Sequence, residues 1–391
     1  MRIAVIGGGA SGLYGAIALK KRHPEAELFV YEKEEKIARK LYATGNGHCN
    51  LLNAAVVAED FNNPAFIAPY LKRYPFAALK QTLASWGIMT LREGDYVYPL
   101  SYNAGTYVGF LTDLATSLGV HFFTGVRVLD YSQKDGGFVL KTDAKTASMD
   151  FAFDKIVFAS GGLSTPKLGS DGSLFPLLAK RGYSLVQPLP GLAPIKVAHP
   201  EMLKGLSGYR HDAKVSLLSK EGKLLYTERG EVLFKEDGLS GIVVFNVESV
   251  YCRLRQPVGA TISLDFFPDE TRETLAEELK NNHAINPLFY GEAYFPKEVQ
   301  DHFTWAKNSD HFLLLAQRLK NDGYLIKATY GFDHSQVTVG GVSITSLKPS
   351  LESIKEPGVY FLGEVLDLDG FCGGFNLTWA LLSALIVRDS L

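Results

Sequence analysis

The chain opens on an apolar, β-branched run, residues 2–6 (RIAVI), closed by glycine; this predicts a short strand buried on both faces. Apolar positions at helical spacing follow over 10–21, and the pattern ends in Lys20, Lys21 and Arg22, cations suited to a helix C-terminus. A second apolar run, 27–31 (ELFVY), comes next. Strand, helix and strand within about 30 residues make a right-handed βαβ unit and imply a parallel sheet.

Beyond it, 65–87 reads as largely helical, 105–118 as helix and 120–131 as strand. Asp135-Gly136-Gly137 predicts a hairpin turn into a strand at 138–142. Residues 155–159 (KIVFA) are again a buried strand and run into Ser160-Gly161-Gly162. Pro188, Pro190, Gly191 and Pro194 then punctuate the chain, and a domain boundary is expected there. Residues 213–264 alternate as strands do, with a turn at Glu221-Gly222, and 270–322 turn helical and polar. Ser309 suits the N-cap of a helix through Lys320, and Gly323 its stop. Strand character returns at 336–344 and 358–370, and a helix over 375–388 follows. The expected fold is α/β. A Rossmann-like nucleotide domain, 1–190 and 323–391, is interrupted by a β-rich insertion, 191–269, and a small helical domain, 270–322.

Composition narrows the functions. Lys plus Arg number 40 against 42 Asp plus Glu, a net charge of −2, which argues against a polycationic nucleic-acid binder. Cys49, Cys252 and Cys372 are far apart, with no CxxC and no Cys/His metal spacing. No disulfide scaffold, no metal site and a reducing, cytoplasmic setting are expected. Gly7-Gly8-Gly9 breaks the apolar start too early for a secretory segment. The uncharged stretch 370–387 contains Gly373, Gly374, Asn376, Thr378 and Ser383, and reads as a buried helix rather than a membrane span.

Gly7-Gly8-Gly9-Ala10-Ser11-Gly12 fits G-x-G-x-x-G between strand and helix. Gly7 permits the tight turn, Gly9 lets a diphosphate approach the backbone, and Gly12 lets helix and sheet pack closely. The orphan N–H groups and the dipole of the helix favour the anion. Glu32, 20 residues past Gly12, ends the second strand and is placed to accept ribose hydroxyls. A 2′-phosphate would be repelled, which favours FAD or NAD. The stretch 39–50 (RKLYATGNGHCN), rich in small and amide residues, is either an ordinary polar loop or a ligand loop.

That stretch is similar to "GRKLLATGNGRCNLTN", and residues 363–377 (GEVLDLDGFCGGFNL) resemble "GEVLDVDGxCGGYNLQ". Both runs mark a family of bacterial three-domain FAD-dependent oxidoreductases, called YhiN-like or BaiN-like, which includes aminoacetone oxidase. The resemblance implies FAD. It assigns Gly7, Gly9, Ala10 and Gly12 to the diphosphate and Glu32 with Lys33 to the ribose end. Lys40, Leu41, Thr44, Gly45, Asn46, Cys49 and Asn50 would line the flavin and its tail. Gly363 and Asp367 would serve the ribityl chain or phosphate. Gly374, Phe375, Asn376 and Leu377 would form a helix N-terminus under the pyrimidine ring, where reduced flavin is anionic. Val128 would offer its backbone to the adenine, and Ser160 and Gly161 would lie beside the cofactor. His48 stands where the family has Arg, removing a fixed cation.

No second G-x-G-x-x-G occurs, and no CxxC relays electrons. The first expectation is therefore an oxidase. Hydride would pass from a small amine or aminoketone to the flavin, and oxygen would be reduced to hydrogen peroxide. No catalytic base is legible. His334 and Tyr330 either face the ring or are ordinary strand-end residues. The aromatics Phe234, Phe245, Tyr251, Phe266, Phe267, Tyr290, Tyr294 and Phe295 either line a pocket or pack a core. Two alternatives stay open: an NAD(P)H-dependent reductase of an activated C=C or C=O bond, and a flavin-binding RNA-interaction protein. A small-molecule substrate, no nucleic acid and no membrane are the expected partner set.

Overall fold

The computed structural model describes residues 1–144, 152–303 and 311–391, so Ser309 lies outside the described residues. Contacts divide the chain into two units, Met1–Leu189 with Val337–Leu391, and Pro190–Gln336.

The first unit is built on a parallel sheet. Strand β1 (Arg2–Ile6) pairs with β2 (Glu27–Tyr31) on one side and with Lys155–Phe158 on the other. Val120–Phe123 and Val359–Phe361 complete the two edges. The central strands are buried on both faces, as their continuous apolar runs require. Helix α1 (Ala10–Arg22) connects β1 and β2, its middle fully buried. The helix Phe375–Arg388 packs along it and is buried on nearly every side. Close approach is built in: a Cβ at Gly15 would lie 2.6 Å from Leu362 Cδ1.

Two local expectations change. Residues 65–87 form two helices, Pro64–Arg73 and Phe76–Ser85, because Pro75 removes an N–H and cannot continue the first. Residues 120–131 are two strands, Val120–Phe123 and Val128–Lys134, belonging to different sheets. The second forms the expected hairpin with Gly137–Thr142, and Asp135 and Gly136 both take positive φ at its turn.

The second unit holds a closed antiparallel barrel. Its strand order is Ile195–Val197, Gly238–Ser240, Leu224–Phe234, Arg210–Leu218, Thr261–Asp265 and Asp322–Thr329. Residues 322–329, expected to rejoin the nucleotide domain, instead close this barrel between Ile195–Val197 and Thr261–Asp265. The stretch 213–264, expected to be strand-rich, contains a helix, Ile242–Arg253. Its Val243, Val247 and Tyr251 repeat at four-residue spacing and are buried, so helical periodicity overrides their β propensity. Phe234, Phe266 and Phe295 are buried, and Phe266 meets the rings of the other two and of Phe303: these aromatics pack a core.

Candidate functional site

The turn between β1 and α1 is shaped by glycine at two levels. Gly7 has φ +109°, and its N–H donates to the Tyr31 carbonyl at 2.8 Å. A Cβ there would meet the Ala159 carbonyl oxygen at 2.4 Å, and one at Gly12 would meet the Gly7 oxygen at 2.0 Å. Gly9 is different: a Cβ would find nothing within 4 Å. Helix α1 starts behind it with no side-chain cap and no acidic residue in its first turn. Its first N–H groups and positive dipole end therefore remain for an anion above Gly9.

Glu32 leaves β2 beside this turn. One carboxylate oxygen accepts from the Gly8 N–H at 2.7 Å and the other from the Glu34 N–H at 3.0 Å. Each oxygen keeps further acceptor capacity, so ribose hydroxyls can share it. A cleft opens here, lined by Tyr31, Glu32, Val128, Ser160 and Gly161. Lys33 lines it too, but its ammonium pairs with Asp171. Burial alone would raise the Asp171 carboxyl; hydrogen bonds from Lys33 and Ser173 override it and hold the group at about 2.

The two motifs meet around this turn. Gly363, at φ +67°, abuts the first turn of α1: a Cβ would lie 2.7 Å from Ser11 Cβ. Lys40 Nζ donates to both oxygens of Glu364, at 2.8 and 3.1 Å. Asn50 stands against Gly374, whose Cβ would meet its Oδ1 at 2.9 Å. Asn53 Nδ2 donates to the Gly373 carbonyl at 2.9 Å, and Asn62 Nδ2 to Asp367 Oδ1 at 3.3 Å. Residues more than 300 apart in sequence thus share one small region.

Several side chains named from sequence are occupied by the protein itself. Asn376 folds back on Gly370, accepting from its N–H at 2.9 Å and donating to its carbonyl at 2.8 Å. Thr44 Oγ1 donates to the Leu41 carbonyl at 2.7 Å, and Leu41 is buried. Gly45 and Asn46 turn the loop with φ near +54° and +53°. Cys49 is fully buried, and burial pushes its thiol up to about 11, so it serves as packing rather than as a reactive group. Phe375 is buried, Leu377 partly so. Ala10, at the first turn of α1, is half-buried. His48 Nδ1 meets the Tyr102 carbonyl at 2.9 Å, and the two rings stack at 4.0 Å between centroids.

Sequence reading missed Glu364 and Thr338 as a working pair. The Thr338 N–H donates to Glu364 at 3.0 Å, and its hydroxyl accepts from the Leu163 N–H at 2.7 Å. The close approach of Gly162, whose Cβ would meet Thr338 Oγ1 at 2.2 Å, requires glycine there. Glu364 sits inside the second motif, which was a usable signal; Thr338 precedes Gly340-Gly341 without any. Tyr330 and His334 lie in the second unit, where the Tyr330 hydroxyl donates to Asp237 and its ring contacts His334 edge-on. Burial and Asp237 push the Tyr330 phenol well up, which makes it a poor proton donor at neutral pH. Among the described residues no group of three or more His, Cys, Asp or Glu could hold a metal, and no helix is long and apolar enough to cross a membrane.

An open glycine before a helix N-terminus and an acid beside an adjoining cleft fit an adenine dinucleotide. Comparison with known proteins agrees. The model of the HI0933-like protein Rossmann domain matches residues 1–389. A 3-dehydro-bile acid delta(4,6)-reductase from Clostridium scindens is 32% identical over 97% of this chain and 96% of its own. A ribosomal RNA dihydrouridine synthase from Escherichia coli is 28% identical over 97% of this chain and 95% of its own. A solved 3-ketosteroid delta1-dehydrogenase from Sterolibacterium denitrificans superposes with a TM-score of 0.51 at 12% identity, covering 99% of this chain and 98% of that one, a likeness of fold. None of these names is an amine oxidase, so the family resemblance holds and its aminoketone specificity does not follow from it. The chain belongs to the HI0933-like Rossmann family and is an FAD-dependent oxidoreductase.

Proposed function

We propose that this protein reduces an activated carbon–carbon double bond, conjugated to a carbonyl, in a small ring-bearing substrate. The observation that carries the reading is the 32% identity, end to end, with a reductase of such a bond. When bound, FAD supplies reversible exchange of a hydride and two electrons. The chain supplies placement. The N-terminus of α1 and Gly9 would hold the diphosphate, and Glu32 the ribose. Asn50 and Asn53 brace the Gly373-Gly374 turn so that backbone N–H groups of the last helix would meet the flavin ring. Lys40, held by Glu364, would keep a cation beside the cofactor's tail.

Oxidation of a small aminoketone, with oxygen as acceptor and hydrogen peroxide as product, is the second reading; the two motifs shared with a family that includes aminoacetone oxidase support it. A stopped-flow experiment without oxygen separates them. NADH or NADPH should bleach the yellow holoprotein, and a 3-keto-4-ene steroid should restore the colour. Bleaching by aminoacetone, with peroxide formed on admitting air, would overturn the first reading. Colour restored by a ribosomal RNA fragment alone would move the substrate to nucleic acid, as in the relative from Escherichia coli.

A further inference from the structure

The cleft beside Glu32 has a second wall that the dinucleotide fingerprint does not explain. The chain leaves Lys155–Phe158, passes Gly161 and runs through Gly169, Gly172 and Leu174 along the cleft. Positive φ at Gly161 (+69°), Thr165 (+55°), Gly169 (+97°) and Gly172 (+67°) folds this segment back over it. One side chain ties the wall to the opposite one. Asp171 pairs with Lys33, which follows Glu32, and lies 3.7 Å from Arg127, next to Val128. Both cations line the cleft. The Lys33 side chain is 13% exposed and Asp171 34%, so the pair is partly shielded from water.

Beside Asp171, the Ser170 hydroxyl is buried with no hydrogen-bond partner among the described residues. The residue is 6% exposed, and its Oγ would lie 3.3 Å from a Cβ on Gly161, which lines the cleft. A buried hydroxyl left unpaired is costly, and a ligand that supplies its partner removes the penalty.

We propose that residues 161–175 form a strap over the adenosine end of FAD, latched by Asp171 to Lys33 and Arg127, with the Ser170 hydroxyl hydrogen-bonding the bound dinucleotide, and that this latch governs FAD release. The inference rests on FAD as the cofactor and not on the identity of the substrate. Leaving requires the strap to lift, so breaking the ion pairs raises the release rate. Salt weakens the pairs and acts in the same direction.

The test follows flavin fluorescence as FAD leaves the holoprotein, at low and high potassium chloride. Asp171→Asn and Lys33→Met should each speed release about fivefold, the scale of a partly exposed ion pair. The double variant should be no faster than Asp171→Asn alone, which already breaks both pairs. Wild-type release should accelerate with salt, and Asp171→Asn should lose most of that dependence. Ser170→Ala should release FAD faster while keeping the wild-type salt slope. Exchanging the charges, Lys33→Asp with Asp171→Lys, should recover part of the slow release. Release rates and salt slopes equal to wild type in both single variants would overturn the latch. A wild-type rate in Ser170→Ala would remove the hydroxyl from the site. A variant that fails to fold loses its circular dichroism together with its flavin, and the salt dependence of the wild type then decides.

Discussion

Two helices of the nucleotide unit begin at a glycine, and they are built in opposite ways. Before α1, Gly9 is extended, at φ −74°, with empty space where a side chain would be. Before Phe375–Arg388, Gly374 is left-handed, at φ +91°, with Asn50 pressed against it. The first is a bare socket whose shape is complete without a ligand. The second is a turn that other parts of the chain hold in place, so backbone alone is left to present. Both are glycine-led, but the protein leaves the space at the first open and fills it at the second.

Substitutions sharpen that contrast. Gly12→Ala, which drives a methyl into the Gly7 carbonyl, should destabilise the unit by about 3 kcal/mol in urea unfolding and abolish flavin content. Gly9→Ala should change apoprotein stability by less than about 1 kcal/mol. It should still weaken FAD binding roughly 30-fold, since a methyl then stands where charged hydrogen bonds form. Equal stability losses in these two variants would erase the distinction between socket and packing. Gly374→Ala should cost about 1–2 kcal/mol from the left-handed backbone and the Asn50 contact. Asn50→Ala in the same chain should recover part of that loss if bracing is the cause. A double-mutant cycle over Lys40→Met and Glu364→Gln should give a coupling of about 0.5–1 kcal/mol, because both side chains stay partly exposed.

The smallest effect concerns pH. Asp171 is held below the ordinary carboxylate range, so its ion pair adds stability that is complete above that range and is lost as pH falls toward about 2. The stability gap between wild type and Asp171→Asn should be flat from about pH 5 to 8 and shrink below about pH 4. A gap that instead changes near neutrality would place the titration on another group.

Much of the first unit was legible because its signals are local. Strand, glycine turn, helix and acid follow one another within the span of residues 2–32, and each is dictated by its neighbours. The last helix was equally plain, an apolar stretch opened by paired glycines. Legibility failed where a residue's partner is remote. Thr338 looks like an ordinary strand residue until Leu163 and Glu364 arrive beside it. Asp171 and Ser170 lie in a polar loop with nothing nearby to mark them. In the second unit, Ile242–Arg253 carries residues that favour strands, and its four-residue apolar repeat was masked by the alternating runs on either side. The strand Asp322–Thr329 was misassigned for a related reason: closing a barrel depends on its neighbours around the ring, which no local pattern records.

The interruption of the nucleotide unit has a consequence for how the chain comes into being. Translation delivers α1 well before the helix Phe375–Arg388 that packs along it, which arrives about 350 residues later. The whole barrel, a contiguous piece, leaves the ribosome in between. The nascent protein must therefore carry Leu13 and Ile17 without that final shelter until the far end of the chain has been made.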